Sequence, residues 1–255
     1  MTDQFDLGEA LSKYIKKPSA MSKPEFVLLY SRPGGGKTHL AASTSELPEV
    51  KKILILDTEG STAGTVADFD DDKVDIIPVE GIEHLDAILE KLFDPSIEHE
   101  WDAVILDTFD VAQEWKIKEQ QGKLGTSGDG VFAAWREVKE WTLWVGRGFK
   151  KMKPLGVAVF HDREEKDADG SVVTKLQLAG SAKDIFPGIP DVVAYLERKI
   201  FHNDETNKDE EHTVAYFASS DNKVTKSRFK FPPVMLDPSF PKMYQHIADN
   251  RKETN

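Results

Sequence analysis

An eight-residue segment carries the residue types that bind a nucleotide phosphate. It consists of Ser31-Arg32-Pro33-Gly34-Gly35-Gly36-Lys37-Thr38. Glycines let backbone N–H groups surround an anion, a lysine reaches the β- and γ-phosphates, and a threonine hydroxyl binds Mg²⁺. Ser31 stands where the usual pattern has its first glycine, at a position that ends a strand, away from the phosphates. The pattern predicts a phosphate loop whose binding residues are Arg32, Pro33, Gly34, Gly35, Gly36, Lys37, Thr38 and His39.

The flanks of this segment supply the structural context that the motif requires. An apolar run at residues 26–30 predicts a buried strand, and residues 39–43 can start a helix. In a strand–loop–helix unit the helix N-terminus adds its positive dipole end to the anion site. A glycine-rich turn with a chance Lys-Thr pair is the alternative, but it does not account for the order of these flanks. The segment therefore predicts that the protein binds ATP with Mg²⁺.

Two further predicted strands end in a carboxylate. Residues 53–56 precede Asp57, and residues 103–106 precede Asp107. Either aspartate can hold Mg²⁺ through water, and a carboxylate near the γ-phosphate is what hydrolysis by water requires. We expect these two strands to flank the strand at 26–30, so that both tips point at the nucleotide.

Composition limits the class of protein. The chain has 255 residues, 39% of them apolar, with a net charge of −12 and no cysteine. The length allows one large α/β domain or two small ones, and no apolar run approaches the roughly 20 residues of a membrane span. Without cysteine, disulfides, thiolate metal sites and cysteine nucleophiles are excluded. The N-terminus is acidic and lacks a signal-peptide pattern. Together, these two features favour a cytoplasmic protein. The negative charge argues against duplex DNA binding over the whole surface.

Apolar runs alternate with helical patterns along the first two thirds of the chain. We predict strands at 26–30, 53–56, 74–79, 103–106 and 155–160, and helices at 38–46, 82–93, 109–121 and 131–149. Such alternation is typical of βαβ units, and the later apolar runs at 171–178, 192–200, 212–218 and 223–230 predict shorter strands. The predicted fold class is α/β, with a mostly parallel central sheet flanked by helices and antiparallel C-terminal strands. The predicted division is a lead-in at 1–20, a core domain at 21–235, and a C-terminal helix and tail at 236–255.

The segment Asp57-Thr58-Glu59-Gly60 resembles the second strand tip of RecA-type recombinases. This resemblance implies a RecA-like P-loop NTPase fold and ATP hydrolysis, with Glu59 as the general base and Asp107 as the Mg²⁺-linked aspartate. The absence of an Asp-Glu pair at the end of the second strand disfavours the standard AAA+ arrangement. The alternative is that Asp57 and Glu59 cap the following helix.

Two more candidate elements follow from the same resemblance. In the RecA family the strand that corresponds to residues 155–160 ends in a polar residue, often Gln, that senses the γ-phosphate. His161 is similar in position, and a neutral imidazole can donate to a phosphate oxygen; a histidine without a role is the alternative. The segment Lys226-Ser227-Arg228 resembles the Lys-x-Arg finger that reaches a neighbour's γ-phosphate in ring helicases. This second resemblance implies a homo-oligomer, either a ring or a filament. The alternative is that the two charges lie on an edge strand and protect it from aggregation.

RecA-type proteins hold single-stranded DNA with two loops, which by position fall here at 122–130 and 162–182. The overall layout resembles phage-encoded RecA-like ATPases associated with single-strand annealing recombination. This implies an ATPase that acts on single-stranded DNA in phage recombination or repair, in the host cytoplasm, with a recombination or annealing protein as partner. An ATP-dependent switch that loads a protein partner is the alternative. A P-loop kinase is disfavoured because the chain has no arginine-rich lid.

Overall fold

The structure is a computed structural model that describes residues 23–166, 170–219 and 222–252. Its strands are β1 (Phe26–Ser31), β2 (Ile53–Asp57), β3 (Val74–Pro78), β4 (Ala103–Asp107), β5 (Leu155–Lys166), β6 (Val172–Leu176), β7 (Val192–Asn203), β8 (Lys208–Tyr216), β9 (Lys226–Ser227) and β10 (Val234–Leu236). Its α-helices are α1 (Lys37–Ala42), α2 (Thr62–Thr65), α3 (Ile82–Phe93), α4 (Phe109–Leu124), α5 (Asp129–Lys151) and α6 (Phe240–Lys252). The predicted helix at 82–93 has the same bounds as α3.

The strands form one main sheet in the order β10-β8-β7-β1-β5-β4-β2-β3, with β6 paired to β5 and β9 paired to β7. The strands from β1 to β3 in this order pair in parallel, and β8, β9 and β10 pair antiparallel to their neighbours. β6 pairs antiparallel with β5, whereas β7, which the sequence places among the antiparallel strands, is parallel to β1. The predicted α/β class is confirmed. Because helices cover both faces, β1, β2 and β4 are buried along their whole length.

The prediction that the two aspartate strands flank β1 is wrong. β5 lies between β1 and β4, and β2 lies beyond β4. Ser31 pairs in register with His161, and Asp57 pairs with Asp107. Strand order depends on where each crossover connection returns to the sheet. Because these strands are equally apolar, their sequences do not indicate that order. The parallel register still brings the strand ends to one carboxyl edge of the sheet.

Two hydrophobic clusters cover the two faces of the sheet. One cluster includes buried residues of α3, α4 and α5, and stacked rings of Phe109 and Phe160 lie 4.8 Å apart in it. The other includes α1 and α6, with Phe240 and Met243 fully buried. Helix α6 therefore packs on the same core as β1, and it lies within the segment 236–255 for which a C-terminal helix and tail are predicted. The predicted lead-in at 1–20 lies outside the described residues, and the domain boundary at 235 stays a prediction.

The first predicted DNA loop is mostly helical. Helix α4 ends at Leu124 and α5 begins at Asp129, so residues 125–128 alone connect them. The 23 residues of α5 span about 35 Å, about twice the length of the five β5 residues paired with β4. Since α5 ends next to the start of β5, its first turns extend beyond the carboxyl edge of the sheet. The tip of the α4–α5 hairpin, with Phe132 77% exposed, stands there.

Residues 162–166 and 172–176 of the second predicted DNA loop are paired strands, here called the β5–β6 hairpin. β5 continues to Lys166 and pairs antiparallel with β6, so that Arg163 faces Lys175 across the ladder. The carboxylate of Glu165 lies 2.7 Å from Arg163, 3.1 Å from Lys175 and 3.4 Å from Lys183. This single carboxylate thus lies among three of the basic residues that the sequence offers to a nucleic acid, and it offsets part of their charge. In the described part of the chain, no helix is long and apolar enough to cross a membrane.

Candidate active site

The phosphate loop (residues 31–38) connects β1 to α1 in a conformation that requires glycine. Gly34 and Gly36 have φ angles of 77° and 89°, in the left-handed region. A Cβ added to Gly35 would lie 2.2 Å from Oγ of Ser31, so the serine at the first motif position fits only because residue 35 has no side chain. Backbone angles and close packing together therefore require glycine at positions 34–36.

The ammonium group of Lys37 lies inside this loop. Its Nζ donates hydrogen bonds to the carbonyl oxygen of Ser31 at 3.1 Å, to Oγ of Ser31 at 3.2 Å and to the carbonyl oxygen of Arg32 at 3.2 Å. The residue is buried, and this burial lowers the pKa of Lys37 below its usual value. A phosphate in the loop would supply the negative charge that this desolvated cation lacks.

Thr38 and Asp107 form the pair expected to hold the metal. Thr38 Oγ1 donates to Asp107 Oδ2 over 2.6 Å, which joins the start of α1 to the end of β4. Burial raises the pKa of Asp107 to about 6, against the opposing effect of the Thr38 hydrogen bond. A hydroxyl and a carboxylate are oxygen ligands of the kind that Mg²⁺ prefers beside phosphate oxygens. The residues present therefore fit a Mg²⁺ ion that accompanies a nucleotide.

Asp57 and Glu59 have separate tasks at the end of β2. Asp57 Oδ1 accepts the backbone N–H groups of Glu59 and Gly60 at 3.0 and 2.8 Å, and Oδ2 accepts that of Thr62 at 3.0 Å. The alternative interpretation, a helix-capping carboxylate, thus holds for Asp57. Glu59 lies in the turn that Asp57 organises, and its side chain lines the cleft above the phosphate loop.

His161 follows the buried part of β5 and contacts two carboxylates. Its backbone N–H donates to Asp110 Oδ1 at 3.0 Å, and its Nδ1 lies 2.9 Å from Asp110 Oδ2. On the other side, Nε2 lies 3.8 Å from Oε1 of Glu59. The hydrogen bond that the His161 ring makes to Asp110 raises the pKa of His161. Asp110 is a residue of this site that the sequence did not reveal, because an acid in the first turn of a helix is common for other reasons.

These side chains meet in one cleft of about 440 Å³ at the carboxyl edge of the sheet. It brings together most of the predicted site and adds one cation, Arg198 of β7. Arg198 could not be identified from the sequence, since a single arginine on a strand has no motif around it. The lining consists of Pro33, Gly34, Gly35, Gly36, Lys37, Thr38, His39, Glu59, Ser61, Thr65, Asp107, Thr108, His161 and Arg198.

Three predicted residues place their side chains outside this cleft. The Arg32 side chain is 70% exposed and forms an ion pair with Glu164. Lys226 Nζ donates to the carbonyl oxygens of Gly188 and Pro190 at 2.6 and 2.8 Å, and Arg228 Nη1 lies 3.2 Å from Asp191. Lys226 and Arg228 therefore lie near the amino end of β1, at the opposite edge of the sheet. Their role as a finger toward a neighbouring subunit stays a prediction.

Replacing Asp191 by Ala is expected to destabilise the protein by about 3–5 kcal/mol, because a fully buried acid holds several partners. Asp191 accepts the backbone N–H of Phe26 at 3.2 Å and the ammonium of Lys150 at 2.7 Å. Burial opposes its ionisation, but the bonds from Lys150 and the backbone outweigh this effect and lower the pKa of Asp191. Its stabilisation is therefore present at neutral pH and is lost as pH falls through that lowered pKa. Urea unfolding of both proteins at neutral and acidic pH measures this, and an equal difference at both would contradict it.

Replacing Arg198 by Ala is expected to weaken ATP binding about tenfold, because a guanidinium beside the phosphate loop can bind phosphate oxygens. Its Nη1 lies 2.8 Å from Glu211. Glu211→Ala removes this competitor and should leave ATP affinity equal or higher. Titration with a fluorescent ATP analogue measures both effects. Lys199→Ala is the matched control, since Lys199 pairs with Glu197 and does not line the cleft; equal affinity in R198A and wild type would contradict the prediction.

Comparison with known protein families matches residues 23–229 to the family AAA_24, described as an AAA domain. A search of curated proteins finds no match to the chain. The matched segment begins just before β1 and ends just after β9, so it includes the phosphate loop, both carboxylate-ended strands and His161. In this chain the two carboxylates of the cleft come from neighbouring strands, Glu59 after β2 and Asp107 at the end of β4. The chain belongs to the AAA_24 family and carries an AAA domain of the nucleotide-binding P-loop ATPase type.

Proposed function

We propose that the protein hydrolyses Mg²⁺-bound ATP to ADP and phosphate, and that it acts in the manner of a RecA-type ATPase on single-stranded DNA in recombination or repair. The observation that supports hydrolysis is the convergence of Lys37, Thr38, Asp107 and Glu59 in one cleft. Each of these side chains supplies a different part of the transfer of the γ-phosphoryl group to water.

Each side chain has a distinct role in this proposal. Lys37 balances charge on the β- and γ-phosphates, and Thr38 and Asp107 provide oxygen ligands for the metal. A bound Mg²⁺ ion would supply further charge neutralisation between the two phosphates. Glu59 orients a water molecule in line with the γ-phosphate and accepts its proton as the bond to the β-phosphate oxygen breaks.

ATP hydrolysis measured with and without single-stranded DNA at low salt tests the proposal, with Lys37→Ala as the blank. We expect hydrolysis that rises with DNA and disappears in the variant. Hydrolysis that DNA does not affect would overturn the DNA part and leave the ATPase part. No hydrolysis above the blank would overturn both.

The proposed DNA contact depends on the carboxyl edge of the sheet. The α4–α5 hairpin tip extends beyond the same edge as the phosphate loop, so a strand bound there would lie near the nucleotide. The β5–β6 hairpin offers few free charges, because Glu165 pairs with Arg163. We therefore expect weak, salt-sensitive binding that requires ATP and a homo-oligomer. Undiminished DNA binding by a charge-reversal variant of Arg163 and Lys166 would contradict a role for this hairpin.

A second candidate function is an ATP-dependent switch that loads a protein partner, for example a recombination or annealing protein. The favouring observation is electrostatic: the net charge is −12, and residues 162–166 of the β5–β6 hairpin carry three acidic and two basic side chains. Such a surface suits a basic protein partner better than a polyanion. ATP hydrolysis without any DNA stimulation would favour this candidate.

A further inference from the structure

Asp110 is a buried carboxylate that neither phosphate binding nor metal binding uses. It lies in the first turn of α4, three residues after Asp107, and its side chain is 3% exposed. Both of its oxygens bond to His161, one to the backbone N–H and one to the ring. A carboxylate removed from water is costly unless its partners hold it, so this arrangement ties the start of α4 to the middle of β5 through one histidine.

The bond to Asp110 decides which proton the His161 ring carries. An ionised carboxylate can only accept, so Nδ1 must carry a hydrogen. A neutral ring then has a lone pair at Nε2, whereas a protonated ring has a donor there. A neutral His161 ring that keeps this hydrogen bond therefore has no hydrogen at Nε2 to donate to a phosphate oxygen. Only the protonated ring can present a donor to the cleft while it keeps its hydrogen bond to Asp110.

The surroundings of Nε2 favour a donor at that atom. Charged groups from three other elements act on His161: Asp110 of α4, Glu59 after β2, and Lys37 of α1. The two carboxylates favour the protonated ring, and the ammonium of Lys37 opposes it. Since Nε2 lies 3.8 Å from Glu59 Oε1, a donor there attracts the carboxylate that is proposed as the general base.

We propose that Asp110 is a positioning residue that holds the His161 ring with Nε2 as a donor toward Glu59 and, when ATP is bound, toward the γ-phosphate. This proposal rests on the proposed function of the cleft. The γ-phosphate oxygens compete with Glu59 for the same donor. Binding of ATP thus releases Glu59 to orient water, and ADP, which has no γ-phosphate, leaves Glu59 held by His161.

Discrimination between a non-hydrolysable ATP analogue and ADP tests this proposal by binding alone. We expect Asp110→Ala to reduce the preference for the analogue over ADP about tenfold, because the donor to the γ-phosphate is lost. In a His161→Gln background the glutamine amide donates without help from Asp110, so the same substitution should have no further effect. A double-mutant cycle on the two affinities measures this coupling. Asp110→Asn is the isosteric second variant. It should leave the His161 ring neutral, and it should reduce the preference for the analogue over ADP less than Asp110→Ala does.

Three results separate this proposal from its alternatives. An equal loss of preference in both backgrounds would mean that Asp110 acts through general structure, and it would overturn the proposal. An unchanged preference in Asp110→Ala and Asp110→Asn would overturn it as well. Asp86→Asn is the matched control, a partly buried acid paired with Lys116 outside the cleft. The experiment needs nucleotide binding that Lys37→Ala abolishes, and it stays informative if wild-type protein does not hydrolyse ATP.

Discussion

Glu59→Gln is expected to lower kcat for ATP hydrolysis by about 10²–10⁴-fold while the affinity for ATP stays within about twofold, because a general base contributes to the transition state and little to binding. The amide keeps the size of the side chain and cannot accept the proton of the attacking water. Asp57 holds the backbone of this turn through three N–H groups, so the substitution should not move the strand tip. Steady-state kinetics together with titration of a fluorescent ATP analogue separates kcat from binding.

Glu80→Gln is the matched control for this variant. Glu80 is an exposed glutamate that follows β3, the neighbour of β2, and it does not line the cleft. Its substitution should leave both kcat and affinity unchanged. If Glu59→Gln retained most of the wild-type kcat, a different group would have to activate water. If affinity fell in parallel with kcat, Glu59 would act in ground-state binding instead.

The phosphate loop and the carboxylates near it could be predicted because their chemistry is local in sequence. Glycines at 34–36 are required by the conformation of one turn, and Lys37 follows that turn directly. Asp57 and Asp107 each end a run of apolar residues, and parallel strands place such ends on one edge. These features depend on short stretches of chain, so the residues themselves indicated Lys37, Thr38 and Asp107, whereas Glu59 was assigned by the resemblance to RecA-type strand tips; all four line the cleft.

Contacts between distant segments could not be predicted in the same way. Arg198 reaches the cleft because β7 lies beside β1, and Asp110 joins the site through a residue 51 positions away. Neither contact leaves a pattern in the local sequence. The two DNA loops were assigned by their place in the chain, yet residues 162–166 continue β5 as a ladder with β6. Such pairing is decided by the tertiary structure, which overrides local turn signals.

Asp107→Asn is expected to change activity and stability in opposite directions. The amide should remove most Mg²⁺-dependent hydrolysis, about 10²-fold or more, because it lacks the charge that binds the metal. Without Mg²⁺ the same variant should be more stable than wild type at neutral pH, by about 1–3 kcal/mol, because burial of a carboxylate that carries a raised pKa is costly. Such a gain would identify Asp107 as a residue kept for its function at the expense of stability.

The sign of the pH dependence follows from the raised pKa of Asp107, about 6 when folded against 3.8 as the ordinary value. Between these values the folded protein binds more protons than the unfolded chain, so this group lowers stability as pH rises through that window. The advantage of the Asn variant should therefore be full above about pH 6 and should vanish near about pH 4. Urea unfolding of metal-free protein across this range measures it, with Asp68→Asn as an exposed control. A variant less stable than wild type at neutral pH would show that the Thr38 hydrogen bond outweighs the cost of burying this charge. A gain that did not change with pH would show that the charge of Asp107 is not its cause.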